Sequence, residues 1–193
     1  MNILQSTQYY AEYAAQPTNK LARQIRELST DEKFDAAKET MTMETATSCV
    51  FCRILKGELN PGVVAFRDSQ TAVFPSRSQQ PRNRGHMLVV PIRHVAQIYE
   101  VDSDLAGPLM TTLARVAAAV KTVCSADGVS IRQNNGQHGG QDVFHVHFHV
   151  VPRFAGDGFT GLNRSHGMVE VSIEERIEQA RTLSDALGLP RLT

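Results

Sequence analysis

The sequence predicts an α+β fold: an antiparallel sheet of about five strands with helices packed on it and a helical extension at the N-terminus. Short runs of β-branched and apolar residues follow one another at hairpin spacing. Two long segments carry apolar residues at helical spacing. Strands in hairpin order with helices between and after them are typical of this class. The 193 residues divide into an extension and linker, 1–47, and a main domain, 48–193.

Each element follows from a local pattern. In the extension, Leu21, Ile25 and Leu28 have helical spacing. The main domain begins at Cys49, and five β-prone runs follow it: 63–66, 71–74, 86–92, 129–133 and 144–151. The first two flank a polar turn and form a hairpin. We expect a helix over 105–124, capped by Ser103 or Asp104. A final helix starts at a Ser172–Glu175 capping box and ends before Gly188 and Pro190.

Charge and cysteine content exclude several classes of function. Twenty basic residues balance twenty acidic ones, so no global field attracts nucleic acid or a membrane surface. The longest apolar run, 87–92, is far too short to span a bilayer, and no secretory signal is visible. The three cysteines are an odd count, which argues against a disulfide scaffold. The expected location is the cytoplasm.

Three histidines alternate along the last predicted strand. His145, His147 and His149 should project from one face of it, each roughly 7 Å from the next. The intervening Val146, Phe148 and Val150 should point into a core. Imidazole is a poor core filler, so this face indicates either metal ligation or chemistry on phosphate. A neutral imidazole can attack phosphorus through one nitrogen, and protonated neighbours can stabilise the phosphoryl oxygens.

The loop before this strand supports chemistry on phosphate. Residues 134–141, with the sequence Asn-Asn-Gly-Gln-His-Gly-Gly-Gln, are rich in glycine and side-chain amides. Glycines allow backbone N–H groups to turn toward an anion. His138 lies in this loop, and Arg153 follows the histidine strand as a further candidate for anion binding.

These motifs resemble the signature of the histidine-triad (HIT) family over about Cys49 to Phe154. The likeness includes His-Val-His-Phe-His-Val-Val at 145–151, the amide-rich loop, Gly85-His86 and the strand that follows. The resemblance implies a nucleotide hydrolase or transferase that works through a covalent nucleotidyl-histidine, commonly as a homodimer, without an organic cofactor. It implies His147 as nucleophile, with His149 and His86 in the same cluster. Asn134, Gly140 and Gln141 would line the substrate site.

Two positions depart from the family pattern. Asp142 stands where many members carry a serine or threonine, and a carboxylate there would repel phosphate unless it were protonated or paired. Members that bind a nucleoside usually have an acidic or amide residue before the Gly-His motif, to bind the ribose hydroxyls. The matching position here is Ser78, or Ser76 if the longer loop is aligned differently.

A metal site is predicted beside the nucleophile. Cys49 and Cys52 have the Cys-x-x-Cys spacing of half a zinc site. The resemblance supplies the other half, because His94 and His145 match the histidines that complete a Cys-Cys-His-His site in zinc-bearing members. Four protein ligands would make this zinc structural rather than catalytic.

The sequence is compatible with three functions. The first is a hydrolase that cleaves a phosphoramidate or phosphoanhydride bond of a nucleoside phosphate through His147. The second is a nucleotidyl or phosphoryl transferase with an acceptor other than water. The third is a non-catalytic nucleotide-binding module, which Asp142 favours.

Overall fold

The structure is a computed structural model that describes residues 47–158 and 167–188. The predicted N-terminal extension lies outside these ranges apart from Thr47, as does Pro190. No helix within the two ranges has the length and apolar character needed to cross a membrane.

The described chain contains seven strands and three α-helices. In chain order they are α1 (Val50–Leu55), β1 (Phe66–Arg67), β2 (Thr71–Pro75), β3 (Ser78–Gln79), β4 (Met87–Pro91), α2 (Ser103–Val123), β5 (Gly128–Gln133), β6 (Phe148–Arg153), β7 (Val169–Glu170) and α3 (Ile173–Ala186). Short 3₁₀ turns cover Ile98–Glu100 and Gln137–Gly139.

Five of these strands form the predicted antiparallel sheet, in the order β1-β2-β4-β6-β5. All four neighbouring pairs are antiparallel, which confirms the expected fold class. Strands β3 and β7 pair separately. Strand β5 is therefore an edge of the main sheet, directly beside the strand that carries His149.

The sheet buries both faces, and alternation along the strands decides which side chain meets which layer. On one face, Val73, Val89 and Val150 pack with Leu109 and Leu113 of α2. On the other face, residues of β2 and β4 pack with α1 in a second core cluster. That cluster includes Phe51, Phe74, Leu88 and Val90.

The histidine segment begins outside the sheet. We predicted one strand over 144–151, but β6 starts at Phe148. The reason is that the N–H of Val146 donates to the carbonyl of Val95, at 2.7 Å, instead of joining the sheet ladder. The predicted alternation nevertheless holds, because Val146, Phe148 and Val150 all belong to the core on the α2 side.

The helix ends follow local capping chemistry, with one correction. Helix α2 is capped by Asp102, whose carboxylate accepts the N–H of Leu105 at 3.0 Å, not by Ser103 or Asp104 as predicted. Helix α3 begins as predicted, since the Ser172 hydroxyl accepts the N–H of Glu175. Gly188 follows α3 with φ +67°, a conformation that favours glycine at a helix end.

Candidate active site

Three imidazoles form a continuous group on the sheet face opposite α2. The ring centroids of His147 and His149 are 4.9 Å apart. The Nδ1 atom of His149 lies 3.0 Å from Nε2 of His86, at the start of β4. The structure thus brings together the three histidines that were predicted to be catalytic.

A backbone hydrogen bond fixes the tautomer of His147. Its Nδ1 lies 2.7 Å from the carbonyl oxygen of His145. A carbonyl only accepts, so Nδ1 carries the proton and the lone pair of the neutral ring is on Nε2. The ring is buried at 5 % exposure and meets Phe51 edge-on, with centroids 5.2 Å apart. One bond and one aromatic contact therefore set the protonation and the orientation of this imidazole.

His86 is held neutral. Burial, together with the nearby positive charge of Arg132, lowers its pKa to about 3. A hydrogen bond to the backbone of Ser78 opposes this shift, which means that His86 donates its single proton to Ser78. Its Nε2 therefore accepts the N–H of His149 Nδ1.

The opposite nitrogen of His149, Nε2, lies 3.5 Å from the side-chain amide of Asn134. The chain of contacts thus runs from Ser78 through two imidazoles to the amide-rich loop. It defines where the lone pair of each ring points, as general acid–base chemistry requires.

Arg132 is a site residue that the sequence did not indicate. It pairs in register with His149 across β5 and β6, so its side chain starts on the histidine face. On the other side of His149, the residue in register on β4 is Leu88, and the residue in register with Leu88 on β2 is Phe74. Finding Arg132 required the strand register, which no short motif contains.

Gln141 braces its own loop. It is buried, and its amide nitrogen donates to the carbonyls of Ala96 at 2.6 Å and Val143 at 3.0 Å. Its side-chain oxygen accepts the N–H of Gly136 at 2.8 Å. The backbone N–H groups of Gly140 and Gln141 also bond within the loop. These three N–H groups thus have partners inside the loop, whereas the sequence suggested an anion-binding turn.

The other predicted substrate contacts are Ser76, Ser78 and Asp142. Ser76 donates its N–H to the carbonyl of His86 at 2.9 Å, and its hydroxyl donates to the carbonyl of Ser78 at 2.9 Å. Both serines therefore lie beside His86. Asp142 is exposed, in the turn just before the histidine segment.

Two weaker candidates take other roles. His138 is exposed in the loop. Arg153 forms a two-pronged ion pair with Asp157, at 2.8 and 2.9 Å, and donates to Ser130. Asp157 also accepts from Asn83. The guanidinium of Arg153 is thus committed to fixing the end of β6, contrary to the expectation that it binds an anion.

The four predicted metal ligands converge. One potential donor atom from each of Cys49, Cys52, His94 and His145 lies within 4.8 Å of every other. The sulfur of Cys49 is 3.5 Å from His145 Nδ1, and that of Cys52 is 3.4 Å from His94 Nδ1. Sulfur at about 2.3 Å and nitrogen at about 2.1 Å from a tetrahedral zinc lie roughly 3.6 Å apart. The residues therefore fit a four-coordinate metal ion.

His145 is oriented as a ligand. Its Nε2 donates to the carbonyl of Pro91 at 2.9 Å, so the lone pair is on Nδ1 and points toward both sulfurs. Burial lowers its pKa to about 4, which keeps the ring neutral, as metal binding requires. Its carbonyl oxygen is the group that orients His147. One residue therefore belongs to both the metal-ligand cluster and the histidine cluster.

A cavity of about 480 Å³ lies against Phe51. Its apolar wall includes Phe51, Phe74 and Leu88, and its polar wall includes Arg77 and Arg176. The ring of Phe51 also contacts His147, so the cavity and the proposed nucleophile have this side chain as a common neighbour. The size of the cavity falls within the range of small-molecule sites, about 300–1,000 Å³.

The chain belongs to the histidine-triad family. The family model described as the HIT domain matches residues 58–156. A HIT protein of Bacillus subtilis is 34% identical over 64% of this chain and 84% of its own. An adenosine 5′-monophosphoramidase of Candida albicans is 31% identical over 62% of this chain and 78% of its own. An adenylylsulfatase of Arabidopsis thaliana is 26% identical over 71% of this chain and 67% of its own.

Solved structures agree with this assignment. A zinc-bound histidine-triad protein of Mycobacterium smegmatis is 30% identical, with a TM-score of 0.59, covering 75% of this chain and 96% of that one. A histidine-triad nucleotide-binding protein of Sulfolobus tokodaii is 27% identical, with a TM-score of 0.62, covering 72% and 92%. The architecture described above is therefore that of the family.

Proposed function

We propose that the protein is a nucleotide hydrolase that cleaves a phosphoramidate or phosphoanhydride bond of a nucleoside phosphate through a covalent nucleotidyl-histidine on His147. The observation that carries this proposal is the bond from His147 Nδ1 to the carbonyl of His145. It leaves the lone pair on Nε2 and thus prepares that atom for attack.

The reaction has two steps. In the first, Nε2 of His147 attacks phosphorus; an N–P bond forms, and the bond to the leaving group breaks. The leaving group departs with a proton from Nε2 of His149, the imidazole that adjoins His147. For this step His149 must enter the reaction with a proton on Nε2 as well as the one that its Nδ1 donates to His86. In the second, water attacks phosphorus, its proton passes to Nε2 of His149, and the N–P bond breaks, which releases a nucleoside monophosphate and restores the starting state of both histidines. His86, Asn134 and Gly140 would hold the cluster and the phosphate in place.

An adenosine phosphate is the first substrate class to try. Two relatives are named as acting on adenylyl compounds. The cavity beside Phe51 has the volume and the apolar wall that a nucleoside needs. Ser76 and Ser78 lie beside His86 and are the proposed contacts for ribose hydroxyls.

Intact-protein mass spectrometry tests the covalent step. Wild type is quenched in acid-free buffer soon after mixing with adenosine 5′-phosphoramidate, and an added AMP mass is expected. His147→Asn should give neither adduct nor turnover, whereas His138→Asn, which alters an exposed histidine of the neighbouring loop, should match wild type. Turnover that persists in His147→Asn would refute the mechanism. An adduct discharged faster by alcohols or amines than by water would point to a transferase.

Asp142 is the feature that favours the alternative, a nucleotide-binding module without catalysis. Its carboxylate is exposed just before the histidine segment, where it would oppose the charge of an incoming phosphate. We expect Asp142→Ser to raise kcat/KM on adenosine phosphoramidate several-fold, with a smaller gain at high salt because salt screens the repulsion. An equal or lower rate would mean that the carboxylate has an orienting role of its own.

We further propose that Cys49, Cys52, His94 and His145 bind one structural zinc ion. The separations of their donor atoms support this, and a bound zinc would tie α1 to the segment that carries His147. Elemental analysis should give one zinc per chain. Cys49→Ser should lose the metal, and Cys124→Ser, which alters the cysteine outside the cluster, should keep it. A folded wild type without metal would remove this proposal.

A homodimer is the proposed assembly. Strand β5 is an edge strand with Ile131 half exposed, and α2 exposes the apolar side chains of Met110 and Val123. Unpaired edges and exposed apolar side chains are typical of surfaces that pair with another copy. Light scattering should give twice the chain mass, and Ile131→Asp should shift it toward the monomer, while Val169→Asp, on the separate β3–β7 pair, should not.

A further inference from the structure

Arg176 is a buried cation outside the histidine and metal clusters. It lies in the first turns of α3, is 4 % exposed, and forms part of the wall of the cavity beside Phe51. Its guanidinium makes no hydrogen bond or ion pair with any residue that the structure describes, and its Nε is enclosed without an acceptor. Burial lowers its pKa, and the positive charge of Arg77 lowers it further.

Two acidic side chains of α3, Glu175 and Glu178, lie close to arginines other than Arg176. Glu175 lies 3.5 Å from Arg84, and Glu178 lies 3.7 Å from Arg181. Across the cavity wall, Arg77 is paired with Glu170 at 2.8 Å. The charge of Arg176 is therefore not offset by a carboxylate in the described part of the chain.

Such an arrangement is costly unless a ligand completes it. A buried guanidinium that lacks acceptors forfeits its hydration and gains nothing in return. A ligand with a neutral carbonyl group would accept hydrogen bonds from some of the guanidinium N–H groups, but it would not neutralise the positive charge. An oxyanion does both, because guanidinium binds phosphate and carboxylate through two parallel hydrogen bonds.

We propose that Arg176 determines substrate specificity by binding a second anionic group on the nucleotide, distant from the phosphate that reacts at His147. The ligand class is a nucleoside 5′-phosphate that bears a further phosphate on its sugar. Phe51 and Leu88, which line the same cavity, would contact the base and sugar. This inference rests on the proposed function, since it takes His147 as the reacting end of the ligand.

Equilibrium binding to the full-length chain tests the proposal. The probes are adenosine 5′-monophosphate, adenosine 2′,5′-bisphosphate and adenosine 3′,5′-bisphosphate, measured by calorimetry. We expect wild type to bind at least one bisphosphate about tenfold or more tightly than the monophosphate, as charge-assisted hydrogen bonds predict. Arg176→Gln should lose that preference, and Arg176→Lys should keep part of it. Arg181→Gln, which alters an exposed arginine of the same helix, should behave as wild type.

The outcomes separate the alternatives. Equal binding of all three nucleotides by wild type, or a preference that survives Arg176→Gln, overturns the proposal. Guanosine 5′-monophosphate is a fourth probe. An Arg176-dependent preference for it over adenosine 5′-monophosphate, without any bisphosphate preference, would also overturn the proposal and would assign the arginine to a base edge. Urea unfolding of Arg176→Gln without ligand should show no loss of stability; a large loss would make the arginine structural.

The same data distinguish this proposal from the hydrolase. An Arg176-dependent bisphosphate preference without any adduct on His147 would keep the specificity site and remove the hydrolase. An adduct on His147 together with equal binding of the three nucleotides would do the reverse.

Discussion

Replacing Gln141 by methionine should destabilise the fold by about 3 kcal/mol. Methionine keeps the volume but removes three hydrogen bonds, leaving the carbonyls of Ala96 and Val143 and the N–H of Gly136 without their partner. Each buried polar group left unpaired costs about 1–3 kcal/mol. Gly136 is half exposed, so water replaces its partner and the cost comes mainly from the two carbonyls.

Urea unfolding followed by fluorescence or circular dichroism measures this loss. The control is Gln137→Met, which alters an exposed glutamine of the same loop and should change stability by less than about 0.5 kcal/mol. Val143 also accepts the N–H of His145, so the Gln141 variant should lose activity together with stability. A full loss of activity with unchanged stability would refute the stabilising role of Gln141 in the loop and would make this residue a direct substrate contact.

Three further perturbations follow from the structure. Gly85→Ala should cost about 2–4 kcal/mol, because φ is +95° and a Cβ would lie 2.6 Å from the sulfur of Cys124; adding Cys124→Ala should recover only the steric part, as urea unfolding of the double variant will show. His86 has a folded pKa of about 3, below the unfolded value, so the unfolded chain takes up the proton first. The contribution of His86 to stability is complete above pH about 6.5 and is lost progressively down to about pH 3, so wild type should lose about 2 kcal/mol more than His86→Asn between pH 7 and pH 5; an equal loss would mean that His86 is already protonated or exposed. Asp157→Ala should remove about 2–3 kcal/mol, because it strips Arg153 of its carboxylate, and proteolysis should then begin at the end of β6.

Local sequence patterns were sufficient to predict most elements of the fold. The hairpin of β1 and β2, the buried strand β4 and the capped helix α3 each depend on neighbours in sequence, and their predicted bounds differ from the observed ones by a few residues. The start of β6 was missed because it depends on a remote partner, the carbonyl of Val95. The cap of α2 was misplaced by one or two positions because Asp102, Ser103 and Asp104 are all good caps.

The candidate site divides in the same way. Alternation placed the three imidazoles on one face, and the Cys-x-x-Cys spacing with the family resemblance gave four residues that do converge. Spacing did not indicate Arg132 or Arg176, because one depends on strand register and the other on how α3 lies along the cavity. The engagement of Gln141 with backbone groups was also invisible, since an amide in a loop serves a ligand or the loop equally well by composition.

The histidine segment cannot change in length without exchanging its two faces, because its side chains alternate between them. Inserting or deleting one residue between Val146 and His149 would exchange the two faces, turning an imidazole into the α2 core and a valine or phenylalanine toward the cavity. A change of length in the turn at 137–139 would not move a side chain out of the core, because the residues of this turn are exposed. Viable length variants of this protein should therefore accumulate in that turn and be absent from the four residues 146–149.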